Sequence, residues 1–151
     1  MGGRNWVRKS LTPGEQVYLT PAHILDRYVD WYDPAPHPRP ADFDGLKVDS
    51  WGDKAFVNPP WRMIRPWVEK ALEEREKGCR VHMLLPATTT TRVFHDLIFP
   101  KGEVEWLRGD VPFTRGADGK ILRLSACLVK FDPHRPPSDN GSPPPPSAPI
   151  F

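Results

Sequence analysis

The chain has little cysteine, no long apolar run and almost no excess of charge, and each shortage closes off a class of protein. Its 2 cysteines, Cys79 and Cys127, stand far apart and show no metal-ligand spacing to each other. Neither a zinc site nor a disulfide framework is therefore indicated. Both are expected to be small packed side chains in a reducing, intracellular setting. No stretch approaches the ~20 apolar residues that cross a bilayer, and the first residues lack the apolar core of a secretory signal. Lysine and arginine number 21 against 19 aspartates and glutamates, a formal net charge of +2. That balance gives no strong global attraction to a polyanion. Beyond the adjacent Gly2 and Gly3 the glycines are not clustered, and internal repeats are not apparent.

What is present is proline, 20 in 151 residues, and tryptophan, 6. The length suits one domain with a real core. Composition divides the chain into three parts: an N-terminal arm over 1–14, a folded domain over 15–132 and a proline-rich tail over 133–151. The arm carries Arg4, Trp6, Arg8 and Lys9, a set that either touches phosphates and a base or is a solvated segment. The tail carries Pro136, Pro137 and the run Pro143 to Pro146, which favours extended chain over a packed core.

Within the domain, Thr20 reads as the N-cap and Pro21 as the first residue of a helix, with Ile24, Leu25, Tyr28, Val29 and Tyr32 on one buried face. Ala55-Phe56-Val57 reads as a short buried strand. A helix is expected from about Pro66, with Trp67, Val68, Ala71 and Leu72 inward, Glu69, Glu73, Glu74 and Glu76 mostly outward, and Gly78 as its stop. Val81–Leu85 is a second strand, Thr88–Thr91 opens another helix, and Val104–Leu107 is a third strand. Ala117-Asp118-Gly119-Lys120 is a hairpin turn, and Ile121–Phe131 a long last strand. These elements place the chain in the α/β class.

The most informative stretch follows the first buried strand: Asn58-Pro59-Pro60-Trp61. Asn58 precedes a proline and is pushed toward an extended conformation. Pro59 and Pro60 have fixed φ and no N–H, so the ladder stops there. The product is a stiff loop at the carboxyl end of a strand, where open α/β sheets place their ligands. It offers two acceptors, the Asn58 side-chain oxygen and the Pro59 carbonyl, and a flat aromatic face. Those groups suit a planar amine: two accepted N–H bonds localise its lone pair, and Trp61 stacks on the ring that carries it. A plain strand-terminating turn with a packed tryptophan accounts for the same residues about as well.

An Asn-Pro-Pro-aromatic loop after an apolar strand resembles the catalytic signature of amino-methyltransferases that use S-adenosylmethionine. Thr20-Pro21, Asp33-Pro34-Ala35, Asp44-Gly45-Leu46, Trp51, Asn58 to Trp61, Leu84-Leu85-Pro86-Ala87 and Arg108-Gly109 with Phe113 occur in the order of the phage-type DNA N6-adenine methyltransferase (Dam) family. The resemblance runs from about Tyr18 to about Phe131. It implies a minimal Rossmann-like methyltransferase fold, a mostly parallel sheet with a C-terminal antiparallel hairpin. It implies transfer of a methyl group to the N6 amine of a flipped adenine in DNA. Asn58, Pro59, Pro60 and Trp61 would be catalytic. Tyr18, Thr20, Pro21, Asp33, Pro34, Ala35, Asp44, Leu46 and Asn58 would meet the cofactor, with Asp33 to Ala35 replacing the usual glycine-rich loop. Trp61, Arg62, Arg65, Arg108 and Phe113 would meet the nucleic acid. No metal is implied.

Trp61 stands where the family commonly has Tyr or Phe, so cytosine N4 stays open as the acceptor, as does RNA. A protein-glutamine methyltransferase and a nucleic-acid-binding module without catalysis are also compatible with these residues. The expected partner is DNA, with no membrane. No separate target-recognition segment is visible, so sequence selectivity is expected either to be short or loose, or to come from a homodimer or a partner subunit. The setting implied is the cytoplasm of a bacterial or virus-infected cell.

Overall fold

The computed structural model describes residues 18–116 and 118–133. The basic arm and the proline-rich tail lie outside the described residues. Among the described residues, seven strands form two sheets. The main sheet holds, in spatial order, β2 (Lys54–Val57), β3 (Arg80–Pro86), β7 (Ala126–Phe131) and β4 (Glu103–Trp106). The smaller sheet holds β1 (Tyr18–Leu19), β5 (Val111–Arg115) and β6 (Ile121–Leu124), again in spatial order.

Side-chain alternation along the main strands explains the layers. Ala55 and Val57, Val81, Met83 and Leu85, and Cys127, Val129 and Phe131 share one hydrophobic cluster. Phe56, Leu84, Ala126 and Leu128 belong to the other. A strand presents alternate residues to opposite faces, so the period of two sorts these residues into two cores. The first face is covered by helix α2 (Ile64–Glu76) through Trp67, Val68 and Ala71, and by the π-helical turn Phe94–Ile98. That turn leads into the short helix α3 (Phe99–Lys101). The second face is covered by helix α1 (Ala22–Leu25), the 3-10 turn Asp26–Tyr28 and the small sheet. Tyr28 stacks on Phe56 with ring centroids 4.1 Å apart. Arg27 grips Glu105 through two hydrogen bonds of 2.8 and 3.0 Å, fastening this segment to β4. The Arg27 and Lys130 bonds hold the Glu105 carboxyl down to about 2.

The α/β class holds, but the expectation of a mostly parallel sheet is corrected. Of the three neighbouring pairs, β2-β3 is parallel while β3-β7 and β4-β7 are antiparallel. A parallel neighbour needs a crossover that returns the chain to the same end. Helix α2 supplies one between β2 and β3. The chain after β3 instead carries β4 past its neighbour, and β7 fills the gap from the opposite direction. The antiparallel hairpin is β5-β6, with its turn at the expected place, but it belongs to the small sheet. The long last strand is broken: Ser125 separates β6 from β7, and the halves pair in different sheets.

The N-terminal helix is shorter than its apolar spacing suggests. Ile24 and Tyr28 are buried, while Leu25, Val29 and Tyr32 are exposed. Tyr32 pairs instead with the sheet edge, donating its N–H to the Lys54 carbonyl at 3.1 Å and accepting from Phe56 N–H at 2.9 Å. This single rung brings Asp33 and Pro34 alongside the end of β2. Among the described residues, no helix is long and apolar enough to cross a membrane, and no group of His, Cys, Asp and Glu side chains is arranged to hold a metal.

Candidate active site

Two loops meet at the carboxyl end of β2. One is Asn58-Pro59-Pro60, which leaves the strand and enters the 3-10 turn Trp61–Met63. The other runs from Pro34 to Leu46. Between them is a cavity of about 460 Å³, within the usual range for small-molecule sites. Its walls include Pro34, Ala35, Asp44 and Leu46 from the long loop, and Asn58, Pro59, Pro60 and Arg62 from the short one. Met63 and Trp67, at the start of α2, help to close it. The structure thus brings together eight of the residues that the sequence singles out. Of the rest, Tyr18, Thr20, Pro21, Asp33, Trp61, Arg65, Arg108 and Phe113 do not line it.

The long loop is built by side-chain-to-backbone turns. Asp33 accepts the Ala35 amide at 2.9 Å, and Asp44 accepts the Leu46 amide at 3.0 Å. Each aspartate spends one carboxylate oxygen on its own loop, as turn-initiating aspartates do. Crowding by the loop desolvates the Asp33 carboxyl and raises it above its ordinary value, with the Ala35 amide acting the other way. Gly45 lies against Pro34, where an added Cβ would sit 1.9 Å from the Pro34 carbonyl oxygen. Glycine is therefore required by contact. The Gly45 carbonyl accepts a 2.9 Å bond from the indole N–H of Trp51, which is buried.

Asn58 is held from outside the cavity. Its Nδ2 donates to the Tyr18 carbonyl at 2.5 Å and to Thr20 Oγ1 at 3.0 Å. Both amide hydrogens are thereby committed, and among the described residues Oδ1 accepts no bond. The expectation that Thr20 caps the first helix is corrected. The cap position falls instead on Pro21, with no side-chain cap bond, which leaves the Thr20 hydroxyl to Asn58. Nothing in the spacing could have revealed this contact, because 38 residues separate the partners.

Trp61 faces the small sheet. Its ring lies 5.3 Å from that of Tyr18 and 5.0 Å from that of Phe113, the latter edge-on. Phe113 is fully buried, so it supports Trp61 and has no free face for a base. The Trp61 indole N–H is buried and, among the described residues, without a hydrogen-bond partner. Arg62 is exposed beside the cavity, and Arg108 is exposed on the loop after β4. Arg65 reaches Glu69 at 3.4 Å and Asp96 at 3.5 Å, loose exposed pairs that hold it weakly.

Open α/β sheets place ligands in a crevice at the carboxyl ends of their strands, and the cavity here lies at the carboxyl end of β2. Comparison makes this specific. The family model for DNA N-6-adenine-methyltransferase (Dam) matches residues 41–127, and the chain belongs to that family. A DNA N-6-adenine-methyltransferase of Escherichia phage T1 is 32% identical over 81 residues, which cover 52% of this chain and 33% of the phage protein. The chain thus spans about a third of that relative's length. A crystal structure described as that of an RNA methyltransferase from Pyrococcus horikoshii overlaps 60% of this chain and 48% of its own, with a TM-score of 0.45 and 17% identity.

Proposed function

We propose that the protein transfers a methyl group from S-adenosylmethionine to the N6 amine of adenine in DNA. The observation that carries this reading is the double tether on Asn58. With both amide hydrogens used, the side chain meets a substrate as an acceptor only. The Pro59 carbonyl is the second acceptor, and two flanking prolines keep both stiff. An exocyclic amine has two N–H groups and a lone pair delocalised into its ring. Accepting both hydrogens pulls that lone pair onto the nitrogen and aims it. When bound, S-adenosylmethionine supplies an electrophilic methyl group. The methylated nitrogen is transiently positive, the two oxygens stabilise it, and its surplus proton leaves to water.

The cavity fits the cofactor in size and in lining. Pro34, Ala35 and Leu46 offer apolar walls for a ring, and Asp44 and Asn58 offer polar edges. Tyr18 and Thr20 would serve the same site from behind by holding Asn58, and Pro21 and Asp33 by shaping its surroundings. Trp61 would take the flipped base, with Arg62, Arg65 and Arg108 toward phosphates.

Incubation with unmethylated DNA and S-adenosylmethionine, followed by mass spectrometry of the nucleosides, tests the reading. N6-methyladenine is expected. N4-methylcytosine would keep the loop chemistry and make Trp61 the base selector, while unmodified DNA under conditions where RNA is methylated would overturn the substrate.

Gly45→Ala should separate the cavity from the tether. The new methyl group must push Pro34 aside, and overpacking of this kind costs about 1–3 kcal/mol. Affinity for S-adenosylmethionine, read by calorimetry, should fall at least tenfold (~1.4 kcal/mol), whereas unchanged affinity would mean that Pro34 is not part of the binding wall.

A further inference from the structure

We infer that Thr20 is a positioning residue that, beside the Tyr18 carbonyl, fastens the Asn58 amide with its oxygen free for a substrate, a role that rests on the methyl-transfer reading above. A primary amide turned by half a revolution keeps its shape and exchanges its oxygen for its nitrogen. Stiffness in the Pro-Pro loop fixes where the Asn58 side chain is, but not which atom points where. Only its hydrogen-bond partners decide that.

The Tyr18 carbonyl demands nitrogen, and the Thr20 hydroxyl, which can donate or accept, adds a second bond to the flip that the carbonyl selects. The Tyr18 carbonyl can only accept. Thr20 Oγ1 accepts the second hydrogen, and its hydroxyl is free to do so because it caps no helix. In the wrong flip, Oδ1 would face the Tyr18 carbonyl, oxygen against oxygen, and the substrate amine would meet an N–H in place of an acceptor. Neither Tyr18 nor Thr20 lines the cavity, whereas Asn58 does. Thr20 therefore acts through Asn58.

The placement of these partners is itself built. Tyr18 pairs with Arg115 and Leu19 with Thr114 across β1 and β5, while the Tyr18 ring rests on Trp61 and Phe113. The small sheet thus delivers two acceptors to a side chain rooted in the main sheet. The Tyr18 contribution comes from the backbone and survives side-chain replacement, which makes Thr20 the member that can be tested.

Thr20→Val keeps the shape and removes the acceptor, and Thr20→Ser restores it. In Thr20→Val, kcat should fall about tenfold, the size expected when one orienting bond is lost, with KM and calorimetric affinity for S-adenosylmethionine unchanged. Thr20→Ser should recover to within about twofold of wild type. A loss confined to cofactor affinity, or a serine variant no better than valine, would overturn the role. A second measurement does not need turnover. Both side-chain hydrogens of Asn58, observed by nuclear magnetic resonance in the cofactor-free protein, should exchange slowly, and in Thr20→Val one should exchange about tenfold faster. Identical exchange in the two proteins would sink the inference even if methylation were found. Faster exchange in a protein that methylates nothing would sustain the tether and reject the proposed activity.

Discussion

Asn58→Ala is expected to abolish detectable methyl transfer while leaving S-adenosylmethionine binding largely intact. On the proposed reading the side chain would supply one of two acceptors at the atom where charge develops. Removal of one such preorganised group costs about a hundred- to a thousandfold in kcat. The cofactor, by contrast, would keep Pro34, Ala35, Asp44 and Leu46 as its walls. Quantifying methylated nucleosides in a single turnover, alongside calorimetry with the cofactor alone, separates the two effects. Equal activity in the variant would remove the central claim. Lost activity together with lost binding would move Asn58 from chemistry to cofactor retention.

The largest effect on stability is expected at Glu74. This carboxylate is fully buried and takes three partners: the Trp51 amide at 2.8 Å on one oxygen, and Lys70 at 3.0 Å and Lys77 at 2.9 Å on the other. Burial acts to raise the pKa of its carboxyl, but the bonds from Lys77, the Trp51 amide and Lys70 outweigh it, and the net direction is downward. Glu74→Ala strands a buried amide and a largely buried lysine, which costs about 3–5 kcal/mol, measured as the shift in urea unfolding. The cofactor should be felt too, because Trp51 is the residue whose indole holds the Gly45 carbonyl.

The pH dependence follows in sign. A carboxyl lowered in the folded state contributes its full share above its unfolded value, near 4.5, and loses that share as the pH falls through the lower folded value. Wild type should therefore weaken on acidification below about 4.5, and Glu74→Gln should weaken less steeply. Parallel curves would exclude Glu74 as the source.

Much of the site could be read from the sequence because its chemistry is local. Asn58 to Trp61 is contiguous, and two prolines announce both its stiffness and the end of β2. Asp33 and Asp44 open turns whose partners are two residues away. Helix α2 and its stop at Gly78 follow from apolar spacing and from a left-handed glycine, φ +100°.

The misreadings share a cause in long-range pairing. Glu74 looks like one more solvated glutamate on a charged face, until the loop ending at Trp51 folds across the helix and buries it. Ile121 to Phe131 alternates like a single strand, and only the competing edges of two sheets decide that it breaks at Ser125. Thr20 carries every local mark of a helix cap, yet its hydroxyl answers to a side chain many residues away. Local propensity is silent on which of two partners a hydroxyl will choose.

The two-residue β1 has a consequence of its own. The main sheet is bound by long ladders, whereas among the described residues β1 is held by two register pairs with β5, the aromatic contacts of Tyr18 and the Asn58 bond to its carbonyl. So short an element opens at a lower free energy than the whole domain. While it is open, the core, the cavity and the Asn-Pro-Pro loop all persist, yet the Asn58 amide is free to turn over. On the proposed reading, the competent fraction of molecules would then follow a local fraying equilibrium rather than global unfolding, and turnover would fall on warming before the melting curve moves.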